Sequence, residues 1–455
     1  MDINYKDKKV LVCGAARSGI SAALLLNKQG AHVTLQDNKD LDIPMELKNI
    51  GINFCFGKDP DDIVIEFDVV VISPGIRYDS SFLIKAREKN IYIIGEFELG
   101  SQFYTGSMYA ITGTNGKTTT TMLVSHIFNQ KQPTNTVGNI GNPITSVGTI
   151  DYPCIAEVSS FQLETIDKFA PQVCAVTNLT PDHLDRHFTM ENYSNIKSRI
   201  FEKQSEKDYV ILNFDNNYTK NKAKKAKSNV IYFSIEENFE SEKFKSCDNY
   251  FIFDREKSNI IGKLHDRNIS VNISGYKLVG LHNVENAMVA IIMSLLYGVD
   301  IPIIEQGIKS FPPPEHRLEY VNQIKGIKFY NDSKATNPES GIKSIESMLE
   351  ETIVLIAGGV LKDVDHTDWS NLVLEKVAHT FIIGSDENQY KMIKELNAVG
   401  YKNISQTASL KEAVYQAYEK IENGVVLFSP ATASFDMFKD YEDRGKQFKE
   451  IVMSI

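Results

Sequence analysis

Cysteine is scarce in this sequence. The 455 residues contain five cysteines, and no two of them form a CxxC pair. Four of the five lie in apolar, strand-like runs. The sequence therefore predicts buried free thiols in a reducing cytosol and argues against a disulfide framework.

Long hydrophobic runs are absent as well. The longest uncharged apolar stretch, Ala287–Val299, is too short to span a bilayer and is flanked by Glu285 and Asp300. The apolar run Val10–Ala16 is also short and follows charged residues, unlike the core of a signal peptide. We expect a buried helix in the first of these runs, and a soluble, cytoplasmic protein with no membrane partner.

An excess of positive charge is the third absence. The chain has 49 Lys and Arg against 59 Asp and Glu, a net charge of −10. Such a chain is a poor general binder of nucleic acid or anionic membranes, so any anion site must be local. We expect small-molecule partners and no nucleic acid.

The pattern along the chain is that of an α/β protein without internal repeats. Short Val- and Ile-rich runs alternate with helical patterns, which is typical of parallel sheets. At about 150 residues per domain the length favours three domains. We predict boundaries at 1–95, 96–311 and 312–455, with a stiff linker at Phe311–Pro314.

The strongest local signal is the glycine-rich run Ile111–Thr119, placed after a strand and before a helical pattern. Glycines let backbone N–H groups approach phosphates, Lys117 can reach the terminal phosphates, and Thr118 can bind Mg²⁺. The first glycine of the general G-x-x-x-x-G-K-[ST] pattern is missing, because Ile111 stands there. A glycine-rich turn that caps a helix is the alternative.

A second loop, Gly14–Gly19, has the form G-x-A-x-x-G after a strand, and Asp37 closes the next strand. By itself this pattern suggests binding of NAD, with the acidic residue on a ribose. It lacks the middle glycine, and a Rossmann-like scaffold without nucleotide is the alternative.

Three further residues in the middle of the chain can carry chemistry. Glu157 follows the apolar run Cys154–Ala156, where a carboxylate is either an ordinary strand end or a Mg²⁺ ligand. His183 lies in the acidic, His-rich run Asp182–His187, which alone suggests a hydrolase metal site or a solvated loop. Lys197 lies in a helical pattern, where a lysine is usually a solvated charge.

The run T-G-T-N-G-K-T resembles the phosphate loop of the Mur ligase family, which includes the folylpolyglutamate synthetases. Six more segments resemble family motifs in the same order: Glu157–Glu164, Asn178–Asp185, Leu281–Asn286, Glu315–Arg317, Asn331–Asn337 and Ser429–Asp436. The last two, with Gly138–Gly141, are most similar to the D-glutamate-adding branch of the family. The resemblance implies a Rossmann-like UDP-binding domain, a central P-loop ATPase-type domain and a C-terminal Rossmann-like domain.

For ATP and metal, the resemblance implies two Mg²⁺ ions and a carbamylated Lys197. The implied metal ligands are Thr118, Glu157, His183 and Lys197, and the implied catalytic residues are Lys117, His183 and Lys197. The implied ATP-binding residues are Gly113, Thr114, Asn115, Gly116, Lys117, Thr118, Thr119, Asn283, Asn286, Arg317 and Asp332.

For the other substrates, the resemblance assigns one site to the first block and one to the third. The implied UDP-sugar residues are Gly14, Ala16, Ser18, Asp37, Ser73, Gly75 and Asn139. The implied D-glutamate residues are Thr336, Lys362, Ser434 and Phe435.

The resemblance implies an enzyme that adds D-glutamate to UDP-N-acetylmuramoyl-L-alanine through an acyl phosphate, with release of ADP and phosphate, in peptidoglycan precursor synthesis. We expect it to act as a monomer. Three alternatives stay open: another ligase of the family that adds L-alanine, a diamino acid or folate-linked glutamate; a regulatory P-loop protein without turnover; and an NAD enzyme.

Overall fold

A computed structural model describes residues 4–148, 152–236, 244, 247–278, 280–312, 314–348, 352–361 and 364–455. The chain divides into two compact units, Met1–Ser274 with Glu285–Lys309, and Gly275–Val284 with Ser310–Ile455. The first unit holds a five-stranded and a nine-stranded sheet, and the second unit holds a six-stranded sheet. The predicted α/β class with three sheet domains is confirmed, and the domain boundaries stay predictions.

The first sheet is parallel, with strand order β3-β2-β1-β4-β5. The strands Lys9–Cys13 and Val69–Ile72 at its centre are apolar except for Lys9, and all four residues of Val69–Ile72 are buried, because helices cover both faces. The strands are β1 (Lys9–Cys13), β2 (His32–Asp37), β3 (Asn53–Phe56), β4 (Val69–Ile72) and β5 (Tyr92–Gly95). The helices are α1 (Arg17–Lys28), α2 (Ser81–Glu88) and α3 (Glu96–Phe103).

The second sheet has the order β14-β13-β12-β11-β10-β9-β6-β8-β7. Its strands are β6 (Met108–Thr112), β7 (Asn135–Gly138), β8 (Cys154–Glu157), β9 (Val173–Val176), β10 (Tyr209–Asn213), β11 (Asn229–Ser234), β12 (Tyr250–Asp254), β13 (Asn259–Leu264) and β14 (Arg267–Asn272). The antiparallel pairs β12–β13 and β13–β14 extend this sheet beyond β11.

The helices that follow β6 along the chain are α4 (Lys117–Phe128), α5 (Ser160–Leu163), α6 (Leu184–His187), α7 (Met190–Ser198), α8 (Asn217–Lys222), α9 (Leu281–Leu296) and α10 (Ile301–Ser310). Residues 287–293 of α9 are fully buried, which agrees with the predicted buried helix. None of the helices in the described parts of the chain is long and apolar enough to cross a membrane.

The third sheet has the order β15-β16-β20-β17-β18-β19 and is parallel except for the edge strand β15. The strands are β15 (Glu319–Ile324), β16 (Ile327–Asn331), β17 (Ile353–Gly358), β18 (Val377–Ile383), β19 (Ile404–Gln406) and β20 (Gly424–Phe428). The helices are α11 (Pro338–Glu346), α12 (Thr367–Lys376), α13 (Asp386–Ala398), α14 (Leu410–Lys420) and α15 (Tyr441–Met453). Short 3₁₀ helices lie at Met45–Leu47, Pro60–Asp62, Val64–Glu66, Ile144–Ser146, Arg199–Phe201 and Ala223–Lys225.

Candidate active site

The predicted phosphate loop leaves the carboxyl end of β6 and leads into α4. Two of its glycines have positive φ, 144° at Gly113 and 84° at Gly116, the cap of the helix. A Cβ at Gly113 would lie 2.0 Å from Thr177 Oγ1, and a Cβ at Gly116 would lie 2.3 Å from Asn286 Oδ1. Only glycine fits at these positions, because both the backbone angle and the space exclude a side chain.

The segment after β9 holds this loop in place. Asn178 accepts hydrogen bonds from the backbone N–H of Thr114 (on its carbonyl, 2.9 Å) and of Asn115 (on Oδ1, 2.9 Å). It also donates through Nδ2 to the carbonyl of Asn115 (3.1 Å). The loop thus presents the N-terminus of α4, whose backbone N–H groups and helix dipole favour an anion such as phosphate.

Two lysines donate to one carbonyl oxygen of the loop. Lys117 Nζ donates to the carbonyls of Gly113 (2.9 Å) and Thr114 (2.7 Å). Lys197 Nζ, which reaches the loop from α7, donates to the same Gly113 carbonyl (2.8 Å) and lies 3.3 Å from Thr112 Oγ1. The interpretation of Lys197 as a solvated helix charge is therefore wrong, since the residue is only 2% exposed.

Burial sets the protonation of Lys197. Desolvation holds the pKa of its amine well below the usual value, the charge of Lys117 lowers it further, and Asp182 and Glu157 oppose these effects. The ring of Tyr193 lies under the amine at 5.2 Å, and the Tyr193 hydroxyl lies 3.2 Å from Thr114 Oγ1. Tyr193 was not among the residues predicted from the sequence, although its place one helical turn before Lys197 puts both on the same face of α7.

Glu157 ends β8, which pairs with β6 so that Glu157 lies opposite Ile111. The carboxylate is 1% exposed, and its Oε1 accepts a hydrogen bond of 2.7 Å from Asn139 Nδ2. Its Oε2 is buried and has no hydrogen-bond partner among the residues that the structure describes. A buried carboxylate oxygen without a donor is costly, so its position beside the phosphate loop suits a cation.

His183 stands at the start of α6 in a left-handed conformation, with φ of 53°. Its Nε2 lies 3.6 Å from Asp182 Oδ2, its ring contacts that of Phe161 at 4.9 Å, and 41% of its side chain is exposed. The imidazole is therefore accessible to a ligand from solvent.

The donor set fits magnesium. Glu157, Thr118 and His183 offer a carboxylate, a hydroxyl and an imidazole. In the described ranges of the chain, no three His, Cys, Asp or Glu side chains cluster so that they hold a metal ion by themselves. This agrees with the usual binding of Mg²⁺, which takes one or two protein carboxylates and completes its shell with substrate phosphates and water.

In the first block, the predicted loop after β1 turns around Asp37. The two carboxylate oxygens of Asp37 accept backbone hydrogen bonds from Ala15 (2.9 Å) and Lys39 (3.0 Å). Gly14 has a φ of 93°, and a Cβ there would lie 2.6 Å from Ser73 Oγ. The absence of a side chain at Gly14 therefore allows the loops after β1 and β4 to approach each other. Gly14 and Asp37 line a cavity of about 340 Å³. Of the other predicted residues of this block, Ala16 is the N-cap of α1, Ser18 lies in the first turn of α1, and Gly75 lies on the loop after β4.

Asn139 lies apart from these loops in the sequence, after β7. Its side chain donates to Glu157 Oε1, and its backbone N–H donates to the Glu157 carbonyl at 2.8 Å. The structure therefore places this predicted UDP-sugar residue beside the carboxylate proposed for metal binding.

The remaining predicted ATP residues fall in two places. Asn286 accepts a hydrogen bond of 3.0 Å from Thr120 Oγ1, beside the phosphate loop. In the second unit, Asn283 lies next to His282, and burial with the charges of Lys343 and Arg317 lowers the pKa of His282 to about 3.

Asp332 is buried in the second unit and has three donors. Its oxygens accept from the Leu318 backbone N–H (3.2 Å), from Ser344 Oγ and from Ser429 Oγ (3.1 Å). Burial nevertheless raises its pKa to about 6, because the hydrogen bonds and the charge of Arg317 only partly offset desolvation.

The predicted D-glutamate residues occupy different environments. Thr336 is half-buried, Ser434 is buried and Phe435 is 74% exposed, while Lys362 lies outside the described residues. Arg444, missed in the sequence, is buried and donates to the carbonyls of Ser333 (2.7 Å) and Thr432 (3.1 Å). It thereby ties together the two loops that carry Thr336 and Ser434.

Three family models match the chain in order. The Mur ligase MurD-like N-terminal domain matches residues 8–95, the Mur ligase middle domain matches 111–294, and the Mur ligase glutamate ligase domain matches 316–432. The chain belongs to the Mur ligase family and is an ATP-dependent ligase.

Two relatives with the same name match this chain along almost its full length. A UDP-N-acetylmuramoylalanine--D-glutamate ligase from Caldicellulosiruptor bescii is 42% identical over 464 residues, which cover 99% of this chain and 98% of the relative. A protein of the same name from a Thermoanaerobacter species is 39% identical over 465 residues, with full coverage of both chains.

Solved structures agree in fold. A pseudomurein peptide ligase type C from Methanothermus fervidus has a TM-score of 0.61 at 17% identity, covering 98% of this chain and all of that one. MurF ligase from Thermotoga maritima, in complex with ADP, has a TM-score of 0.61 at 14% identity, covering 99% of this chain and 96% of that one.

Proposed function

We propose that this chain adds D-glutamate to UDP-N-acetylmuramoyl-L-alanine at the expense of ATP, in peptidoglycan precursor synthesis. The observation that supports the chemistry is the meeting of Lys117, Lys197 and Glu157 at one phosphate loop. The full-length relatives of that name support the choice of substrates.

The reaction proceeds in two steps. The terminal alanyl carboxylate of the UDP-sugar attacks the γ-phosphorus of ATP, which forms an acyl phosphate and releases ADP. The D-glutamate amine then attacks the acyl carbon, and the tetrahedral intermediate loses phosphate and a proton to give the amide. Phosphorylation is required because a free carboxylate is a poor electrophile.

The residues of the phosphate loop bind and orient ATP in this proposal. The Lys117 ammonium breaks its hydrogen bonds to the carbonyls of Gly113 and Thr114 and neutralises charge on the transferring phosphoryl group. Residues 113–119 supply backbone N–H donors to the phosphates. Glu157, Thr118 and His183 would hold the two Mg²⁺ ions, whose charge would reduce the repulsion between the substrate anions. Arg317 is assigned to the phosphates and Asp332 to the ribose, and Asn283 and Asn286 are assigned to positions near the nucleotide.

Lys197 serves in this proposal as a carbamate. Its neutral amine attacks CO₂, an N–C bond forms, and a proton is released, so a cation becomes an anion with two oxygens. Such oxygens are the hard ligands that Mg²⁺ prefers. The buried position and lowered pKa of the amine support this assignment, because only the neutral amine reacts.

The other substrates are assigned to separate regions. The UDP-sugar lies on the loops of Gly14–Ser18, Asp37 and Ser73–Gly75 with Asn139, and D-glutamate lies on Thr336, Lys362, Ser434 and Phe435. A monomeric state, a cytoplasmic location and the absence of nucleic-acid and membrane partners remain predictions from the sequence.

The decisive test measures ADP and phosphate release with UDP-N-acetylmuramoyl-L-alanine, D-glutamate and ATP, each omitted in turn. We expect release only with all three, and substitution of L-alanine, a diamino acid or L-glutamate for D-glutamate should abolish it. Tight ATP binding without release under any combination would favour a regulatory protein, and release with another amino acid would indicate a different ligase of the family.

A further inference from the structure

Arg186 occupies an unusual position in α6, three residues after His183. Its guanidinium makes a fork to Glu164, with Nε 3.0 Å from Oε1 and Nη2 2.5 Å from Oε2. The guanidinium also stacks on the ring of Phe161 at 4.0 Å. With side-chain exposures of 9% and 11%, Arg186 and Glu164 are largely shielded from solvent, so the pair is stronger than a surface ion pair.

The same guanidinium reaches the first block of the chain. Nη1 donates to the carbonyl of Pro74 (3.3 Å), and Nη2 donates to the carbonyl of Ile76 (2.9 Å). These carbonyls belong to the loop after β4, which also carries Ser73 and Gly75. The Arg186 side chain thus joins the loop after β4 of the five-stranded sheet to helix α6, which follows β9 of the nine-stranded sheet.

We propose that Arg186 is a positioning residue that sets the register between the UDP-sugar loop at 73–76 and the metal-binding segment that begins at His183. The inference rests on the proposed placement of the UDP-sugar in the first block. The attacking carboxylate and the γ-phosphate must meet within reacting distance, and an error of about 1 Å can cost roughly 10²-fold in rate.

The two sheets do not depend on Arg186 for their attachment. Tyr92 Oη donates to Asp167 Oδ2 at 2.8 Å, and Thr145 Oγ1 lies 2.7 Å from Ser21 Oγ, both across the same two blocks. Removal of the guanidinium should therefore leave the unit folded while it frees the loop. Lysine cannot replace it, because a single ammonium cannot hold a carboxylate and two carbonyls in a planar fork.

The test compares Arg186→Ala and Arg186→Lys with Arg77→Ala. Arg77 follows the loop at 73–76, is exposed, and donates its guanidinium hydrogen bonds to Asp79 (2.8 Å), so it is a control for charge that leaves the carbonyls of Pro74 and Ile76 in place. We expect Arg186→Ala to lower kcat about 10²-fold and to weaken UDP-N-acetylmuramoyl-L-alanine binding about tenfold in calorimetry, with unchanged ATP binding. Arg186→Lys should restore little, and Arg77→Ala should resemble wild type.

Chemical rescue separates positioning from general stability. Arg186 and Glu164 line a cavity of about 640 Å³, so a free guanidinium ion can enter the position vacated in Arg186→Ala. We expect guanidinium chloride at non-denaturing concentration to restore part of kcat in this variant, and sodium chloride at equal ionic strength not to do so.

Three results would overturn the inference: wild-type kinetics in Arg186→Ala, equal losses of ATP and UDP-sugar binding with a lowered Tm, or no rescue by guanidinium. Each presupposes a wild-type enzyme that turns over in the same assay. Absence of that turnover would instead contradict the proposed function itself.

Discussion

Two buried carboxylates, each at the carboxyl end of a strand in a different sheet, differ in their hydrogen bonds. At the carboxyl end of β8 in the nine-stranded sheet, Glu157 has one side-chain donor, Asn139, and one buried oxygen without a partner among the described residues. After the carboxyl end of β16 in the six-stranded sheet, Asp332 accepts hydrogen bonds from a backbone N–H and two serine hydroxyls. The first site leaves one carboxylate oxygen open to a cation, while the second gives both carboxylate oxygens hydrogen bonds from the protein's own groups.

The difference indicates how each residue should respond to change. A buried polar atom without a partner costs free energy that a ligand can recover, so its loss should appear in catalysis. A buried carboxylate whose oxygens are already hydrogen-bonded by the protein affects the stability of its own unit, so its substitution should appear in the pH dependence of unfolding. The four predictions below test this contrast, from the largest expected effect to the smallest.

Lys117→Ala should reduce turnover by at least about 10³-fold, because it removes positive charge from the transferring phosphoryl group. Phosphate release with all substrates present measures the effect, and circular dichroism checks the fold. Lys203→Ala, an exposed lysine 3.8 Å from Glu202, is the control and should retain activity. A folded Lys117→Ala enzyme with normal turnover would contradict the assignment of the phosphate loop.

Lys197→Ala should be nearly inactive and should recover part of its rate with added acetate, which can occupy the position of the carbamate. Arg199→Ala is the control on the neighbouring turn, since Arg199 donates instead to the carbonyls of Leu163 (2.8 Å) and Glu164 (2.7 Å). That variant should lose thermal stability and show no acetate rescue. Full activity of Lys197→Ala in CO₂-depleted buffer would refute the carbamate.

Glu157→Gln should lower kcat roughly 100-fold or more and raise the Mg²⁺ concentration needed for half-maximal rate, since even partners of metal ligands contribute about 10–100-fold. Its Tm should not fall. Glu98→Gln is the control: Glu98 is fully buried and accepts from Gln102 Nε2 and from the backbone N–H groups of residues 167–169. That variant should lose Tm without a change in Mg²⁺ dependence, and the reverse pattern would contradict our contrast.

Asp332→Asn tests how the hydrogen-bonded carboxylate affects the pH dependence of the free energy of unfolding. The pKa of Asp332 is raised from 3.8 to about 6, so the folded state binds its proton more tightly than the unfolded chain. That contribution to stability is complete below about pH 4 and is lost as the pH rises through 6. The variant should therefore gain on the order of 3 kcal/mol relative to wild type between pH 4 and 7, measured by urea unfolding.

Glu387→Gln provides a control of opposite sign for this measurement. Lys391 holds the pKa of Glu387 below its usual value through a hydrogen bond of 2.6 Å. Glu387 therefore stabilises the folded state above its unfolded pKa, and this contribution is lost as the pH falls. A flat difference between wild type and Asp332→Asn across this range would show that the carboxylate is not penalised by burial.

The sequence predicted the local parts of this molecule well. Val- and Ile-rich runs marked the strands, and the glycine pattern marked the phosphate loop, because backbone conformation and strand burial are encoded over a few residues. Spacing alone marked Lys117 and Thr118 as candidates for the phosphate and metal sites. Motif resemblance added Glu157, His183 and Lys197, for which local pattern offered only weak signals.

Only the tertiary structure decided what surrounds these residues. In the nine-stranded sheet, β6 lies between β9 and β8, so segments far apart in the chain meet at one edge. That strand order puts Asn178 on the loop, buries Lys197 under Gly113, and leaves one oxygen of Glu157 without a donor among the described residues. It also brings Arg186 to the carbonyls of Pro74 and Ile76. Partners of this kind depend on long-range strand pairing, which composition and periodicity do not encode, because they describe neighbours in sequence and not neighbours in space.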